Sequence, residues 1–363
     1  MKMILRWFPF GDDSVTLDQI RQIPEITGVA GCLPKIPVGE EWTAEDIAAL
    51  KSTVIAAGLE MEVIESVNIH EDIKKGLPTR DRYIDNYIKT ITNLGAAGVR
   101  VLCYNFMPVM DWARSDLAKP LPDGSTAMAY VHDEVVKMNP DLIAKAMAGQ
   151  SRGYSLPGWE PERLSLMAAD IEYYQSFTQE MYWSNMKYFL DAVIPAARAA
   201  NVRMAIHPDD PPWPLFGLPK VITDAERIRV FLSLNDSPYN GITFCTGSLG
   251  VNGANDLPAM LREFGGRIHF AHIRNVRKLG EKDFEESAHP TASGSLDMFG
   301  IVKALYESGF DKRFTGYIRP DHGRMIWGER ARPGYGLYDR ALGAVYIEGL
   351  WEAIGKMGGH KDD

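Results

Sequence analysis

The stretch that decides the fold runs from Met61 to Tyr104. It opens on Met61-Glu62-Val63-Ile64-Glu65-Ser66 and closes on Val99-Arg100-Val101-Leu102-Cys103-Tyr104. Between them lies a helical segment, residues 81–96, with Gly98 behind it as a stop. The two flanking runs are β-rich and mostly apolar, as strands covered on both faces of a parallel sheet are. Strand, helix and strand in that order form a right-handed crossover unit.

The same alternation continues in both directions. Further β-rich runs occupy residues 3–7, 28–33, 203–207, 242–246, 268–274 and 315–319. Helical stretches fall at 44–57, 170–200, 224–234, 256–264, 296–308 and about 338–354. The first of these opens on the capping sequence Thr43-Ala44-Glu45-Asp46 and stops at Gly58. Eight strands and about eight helices in strict order predict an α/β fold, a single (β/α)8 TIM barrel domain spanning residues 1–363. The competitor is a doubly wound sheet, which needs a phosphate-binding glycine turn after its first strand. That strand ends Trp7-Phe8-Pro9-Phe10-Gly11 and lacks one. Gly247-Ser248-Leu249-Gly250-Val251-Asn252-Gly253 has the wrong spacing for a dinucleotide fingerprint and reads as a flexible βα loop.

One segment breaks the rhythm. Residues 105–167, after the fourth strand, hold no barrel element but contain Pro108, Pro120, Pro122, Pro140, Pro157 and Pro161, with one helix-like stretch around 140–148. An insertion there is either a lid over the active face or a subunit contact.

Composition narrows the function. The 363 residues carry 39 Lys plus Arg against 48 Asp plus Glu, a formal charge of −9, which argues against a nucleic-acid partner. No apolar run reaches the ~18 residues of a membrane span. The N-terminus does not read as a signal peptide. Cys32, Cys103 and Cys245 are too few for a disulfide framework and suit a reducing compartment. A cytoplasmic protein is expected.

In a barrel, chemistry comes from strand ends. Strand five ends in His207-Pro208-Asp209-Asp210, strand six in Cys245-Thr246-Gly247, and strand seven in His272-Ile273-Arg274-Asn275. Strand eight ends in Arg319-Pro320-Asp321-His322-Gly323-Arg324. Each group has an innocent reading: a satisfied polar residue, a small buried hydrophobe, turn chemistry. Together His207, Cys245, His272 and Asp321 make a credible shell for Mn²⁺, Fe²⁺ or Zn²⁺. His269 lies three residues before His272, on the opposite face. Arg274, Asn275, Arg319 and Arg324 suit a carboxylate, unless they pair with Asp209, Asp210 and Asp321. Glu65 and Asn105 close other strands and suit hydroxyls. His322 directly follows Asp321, so both face inward only if the chain turns, as at Gly323. Tyr335, in Arg332-Pro333-Gly334-Tyr335-Gly336, is either a surface aromatic or a phenol near a reacting hydroxyl.

These residues, with Leu5-Arg6-Trp7-Phe8-Pro9-Phe10-Gly11, Ile64-Glu65-Ser66-Val67 and Tyr104-Asn105-Phe106-Met107-Pro108, resemble the mannonate dehydratase family over essentially the whole chain. That family consists of metal-dependent barrels related to the xylose-isomerase-like enzymes. The resemblance implies dehydration of D-mannonate to 2-keto-3-deoxy-D-gluconate in hexuronate (glucuronate) breakdown, with Mn²⁺ or Fe²⁺ required. It places the metal ligands on His207, Cys245, His272 and Asp321. The acid/base pair falls on His322 and Tyr335, in either order. The alternatives are a metal-dependent sugar isomerase or epimerase on the same barrel, and a non-catalytic sugar-acid-binding protein. A homodimer is expected, with the insertion or the final helix at the interface.

Overall fold

The computed structural model describes residues 1–138, 140–154, 156, 158, 159, 161–313 and 316–358. Its strands are β1 (Lys2–Arg6), β2 (Ile26–Gly31), β3 (Glu60–Glu65), β4 (Val101–Tyr104), β5 (Asp116–Pro120) and β6 (Thr126–Tyr130). They continue as β7 (Arg203–Ile206), β8 (Asn240–Cys245), β9 (Ile268–His272), β10 (Val276–Lys278), β11 (Phe284–Glu286) and β12 (Tyr317–Arg319). Eight of these form the expected closed barrel in the order β1-β2-β3-β4-β7-β8-β9-β12, with β12 returning to β1. Every barrel pairing is parallel. Of the expected eighth strand, Thr315 lies outside the described residues, as do Pro157 and His360.

Two apolar layers hold the barrel. Inside it Ile4, Ala30, Val63, Val101, Cys103, Ala205, Phe270 and Tyr317 form a closed cluster. The outward faces pack under amphipathic helices such as Leu257–Phe264, which buries Leu257, Met260, Leu261 and Phe264. Helix starts follow side-chain caps: Thr43, Asp224, Asp256 and Asp297 each accept a hydrogen bond from a backbone N–H in the first turn.

Three expectations need correction. The long helix at 170–200 is two helices, Pro161–Tyr174 and Gln179–Ala199, because Thr178 takes an extended conformation and caps the second through Met181 N–H. Residues 247–253 do not start as a flexible loop: Thr246–Gly250 is a buried helical turn capped by Cys245. The 105–167 insertion holds two strands and three helices, His132–Lys137, Pro140–Gln150 and Pro161–Tyr174. β5 and β6 pair antiparallel, and β6 adds β11 and then β10 from the segment after β9. The result is a second, four-stranded sheet, β10-β11-β6-β5, joining two excursions that both leave the carboxyl ends of barrel strands. Among the described residues no helix is long and apolar enough to cross a membrane.

Candidate active site

Four chain segments converge at the carboxyl ends of the barrel strands. His207 follows β7, its backbone N–H donating to the Tyr104 carbonyl at 2.8 Å. Cys245 ends β8, and its Sγ accepts from the Ser248 N–H at 3.4 Å and the Ser248 hydroxyl at 3.2 Å. His272 ends β9. One ligand atom from each of His207, Cys245 and His272 lies within 4.8 Å of the others. Asp321, two residues beyond β12, stands beside them: Oδ2 is 3.4 Å from Cys245 Sγ, and Oδ1 is 3.8 Å from His272 Nδ1.

The chain turns at Asp321 itself, not at Gly323. Its φ of 61° is the left-handed conformation that Asp tolerates better than most residues. That turn lets Asp321 and His322 face the same cavity, with His322 Nε2 3.8 Å from Asp321 Oδ1. His269 takes the other face of β9, as expected, and its Nδ1 lies 2.9 Å from the Met204 carbonyl oxygen.

The donor set fits a divalent cation. Burial pushes His207 down and His272 down to about 3, with Arg319 adding to the second shift, so both imidazoles stay neutral, the ligating form. His207 Nδ1 lies 2.8 Å from the Pro208 carbonyl; it carries the proton and leaves Nε2 its lone pair. Burial and the neighbouring Asp321 push the Cys245 thiol up to about 12. A thiolate therefore forms here only with a cation beside it. Burial alone would raise Asp321, but Arg319, His322 and Arg274 hold it well below the ordinary carboxylate range.

Next to this cluster His322 Nε2 meets the Tyr335 hydroxyl at 3.1 Å. His322 Nδ1 lies 3.1 Å from Arg274 Nη1 and 3.5 Å from Glu286 Oε1. Tyr335 is half-buried and lines the cavity rather than standing as a surface aromatic, and desolvation raises its phenol.

The surrounding charges form one chain of ion pairs. Arg6 (3.0 Å) and Arg319 (2.8 Å) share Glu65 Oε1; Arg319 (2.7 Å) and Arg274 (2.8 Å) share Asp321. Arg274 and Arg114 each reach Asp210 at 2.8 Å, and both also pair with Glu286. Four guanidiniums face four carboxylates, all buried, so the site is balanced before any ligand enters. Gly247 makes room for this network, since a Cβ there would collide with Arg274 Nε.

Six residues had been expected to hold substrate. Glu65, Asn105, Arg274 and Arg319 line the cavity, although both arginines and Glu65 are tied into the ion-pair chain. Asn275 and Arg324 are not brought there. The Asn275 amide is used up on backbone: Nδ2 donates to the Pro290 carbonyl at 3.0 Å, and Oδ1 accepts from Val276 and Leu296 N–H at 2.9 and 3.1 Å. Arg324 grips Asp339 at 3.1 Å and Asp123 at 2.9 Å. Sequence reasoning missed Arg6, Asp111, Arg114 and Glu286. Arg6 ends β1, and the strand-end test would have found it. The others sit in the insertion or beyond β9, where no strand end points to them.

A closed parallel barrel with such a donor cluster at the strand ends and an imidazole–phenol pair beside it defines a class: a TIM barrel with a candidate metal centre at the carboxyl ends of its strands. A xylose isomerase domain protein of Planctomyces limnophilus shares that fold at a TM-score of 0.55 and 13% identity, covering 98% of each chain. Within the class, the family model for D-mannonate dehydratase (UxuA) matches residues 1–361, and the chain belongs to this family of hydro-lyases. It is 58% identical to a mannonate dehydratase of Thermotoga maritima over 359 residues, 98% of this chain and 99% of that one. The crystal structure of mannonate dehydratase from Streptococcus suis serotype 2 superposes at a TM-score of 0.87 with 45% identity, covering 99% of this chain and 95% of that one.

Proposed function

We propose that this enzyme removes water from D-mannonate to give 2-keto-3-deoxy-D-gluconate, a step of glucuronate breakdown. Its cation, Mn²⁺ or Fe²⁺, is held by His207, Cys245, His272 and Asp321. The observation that carries the reading is the His322–Tyr335 contact of 3.1 Å, in one cavity with His207 and Asp321 of that donor set.

When bound, the cation supplies Lewis-acid stabilisation of the charge that develops on the sugar acid. His322 takes the C2 proton on Nε2, with Glu286 accepting its Nδ1–H. Tyr335 gives its proton to the C3 oxygen, because hydroxide is a poor leaving group. Each such transfer contributes about 10²–10⁴-fold. The enol that remains tautomerises to the ketone. Asp111, Trp112, Met128 and Leu156, all from the insertion, line the same cavity and support its reading as a lid that keeps water out.

The isomerase alternative needs free carboxylates at several strand ends, but Glu65 is already shared by Arg6 and Arg319. A binding protein does not need the His322–Tyr335 pair. Incubation with D-mannonate and Mn²⁺ should yield a 2-keto-3-deoxy acid. His322→Asn, with metal content unchanged, should abolish C2 proton exchange; persistent exchange would remove His322 from the base role.

A further inference from the structure

Glu65 Oε2 and His272 Nε2 are both buried, have no other hydrogen-bond partner among the described residues, and lie 3.5 Å apart. On the opposite side of the ring, Arg319 Nη2 lies 3.4 Å from Nδ1. A guanidinium has only donors, so Nδ1 is the nitrogen with the lone pair and Nε2 carries the proton. Nδ1 is also the nitrogen that faces Asp321. His207 is the reverse case, with its Nδ1–H on the Pro208 carbonyl.

We propose that Glu65 is a positioning residue: it accepts the Nε2–H of His272, fixes the ring in that tautomer and turns the Nδ1 lone pair to the side of the cluster where Asp321 stands. The inference rests on the cation set proposed above. The two imidazoles then offer different nitrogens, His207 through Nε2 and His272 through Nδ1. Arg6 and Arg319 serve Glu65 in turn, keeping it a carboxylate through its other oxygen, Oε1.

A competing reading puts a second cation among Glu65, Cys103 and His272, whose ligand atoms also lie within 4.8 Å of one another. Two guanidiniums on Glu65 oppose an added positive charge there. Cys103 also accepts the Thr243 hydroxyl at 3.2 Å, and burial keeps it a thiol.

Two measurements decide. In metal-free wild-type protein, ¹⁵N NMR should show His272 protonated on Nε2, assigned by the resonances that vanish in His272→Gln. Protonation on Nδ1 overturns the proposal, and this needs no Glu65 variant to fold. In competition with a chelating dye, Glu65→Gln should bind Mn²⁺ about 10–100-fold more weakly than wild type, with Glu65→Asp restoring part of the loss. Unchanged affinity in Glu65→Gln overturns it, as does a drop from two Mn²⁺ per chain to one. Wild-type protein that takes up no Mn²⁺ would count against the cation set, while the tautomer would still judge Glu65.

Discussion

Asp321 combines a left-handed backbone with a carboxylate gripped on both oxygens, by Arg319 on Oδ1 and Arg274 on Oδ2. Asn keeps the backbone preference and the shape but drops the charge. Asp321→Asn should therefore fold while leaving two buried guanidiniums short of a partner. Breaking a buried pair costs about 3–5 kcal/mol. Arg319 retains Glu65, and Arg274 retains Asp210 and Glu286, so about 3 kcal/mol is expected, read from the urea midpoint in the presence of chelator. A loss below about 1 kcal/mol would mean the remaining acids suffice. At this scale the sequence was readable where position alone decided. Listing strand ends picked out His207, Cys245 and His272, whose ligand atoms the fold brings within 4.8 Å of one another. It misjudged Asn275 and Arg324 because neighbours at one rim can serve substrate, backbone or one another, and only geometry tells which.

At the level of elements, the barrel strands were legible because each is a short, mostly apolar run bounded by turns. The four-stranded sheet was not. β10 and β11 have three residues each, too short to show a period, and the pairing of Phe284 with Tyr130 spans some 150 positions. The insertion is fastened by charge as well. Arg163, on the helix Pro161–Tyr174, grips Asp111 at 3.1 Å and approaches Glu71 at 3.7 Å, while Tyr174 donates to Glu71 at 2.9 Å. Asp111 also lines the cavity. Arg163→Ala leaves this buried acid short of its cation, and the cost falls on the insertion rather than the barrel. Local opening governs cleavage in the native state, where each 1.4 kcal/mol is about tenfold. Native-state proteolysis within 105–178 should accelerate at least tenfold, with cleavage of the barrel unchanged. Acceleration spread evenly over the chain would place the cost elsewhere.

The barrel closes with β12 on β1, and Arg340 of the final helix, Tyr338–Gly358, donates to the Arg6 carbonyl at the end of β1 at 2.9 Å. Glu348 on that helix is half-buried; burial first, then the charge of Glu25, push it up to about 7, against the opposing pull of the N-terminal ammonium. An acid whose folded pKa exceeds its unfolded value of about 4.5 prefers the protonated form in the native state. Its contribution is complete below pH 4.5 and is lost as the pH rises through 7. The displacement would correspond to ~3 kcal/mol in a dry site, and solvent screening at a half-exposed helix leaves about 1 kcal/mol. Glu348→Gln cannot ionise. It should match wild type at pH 4.5 and exceed it by about 1 kcal/mol at pH 8, measured as paired urea titrations. A gap of the same size at both pH values would assign the effect to packing. A gap that opens toward acid would reverse the sign and remove Glu348 as its source.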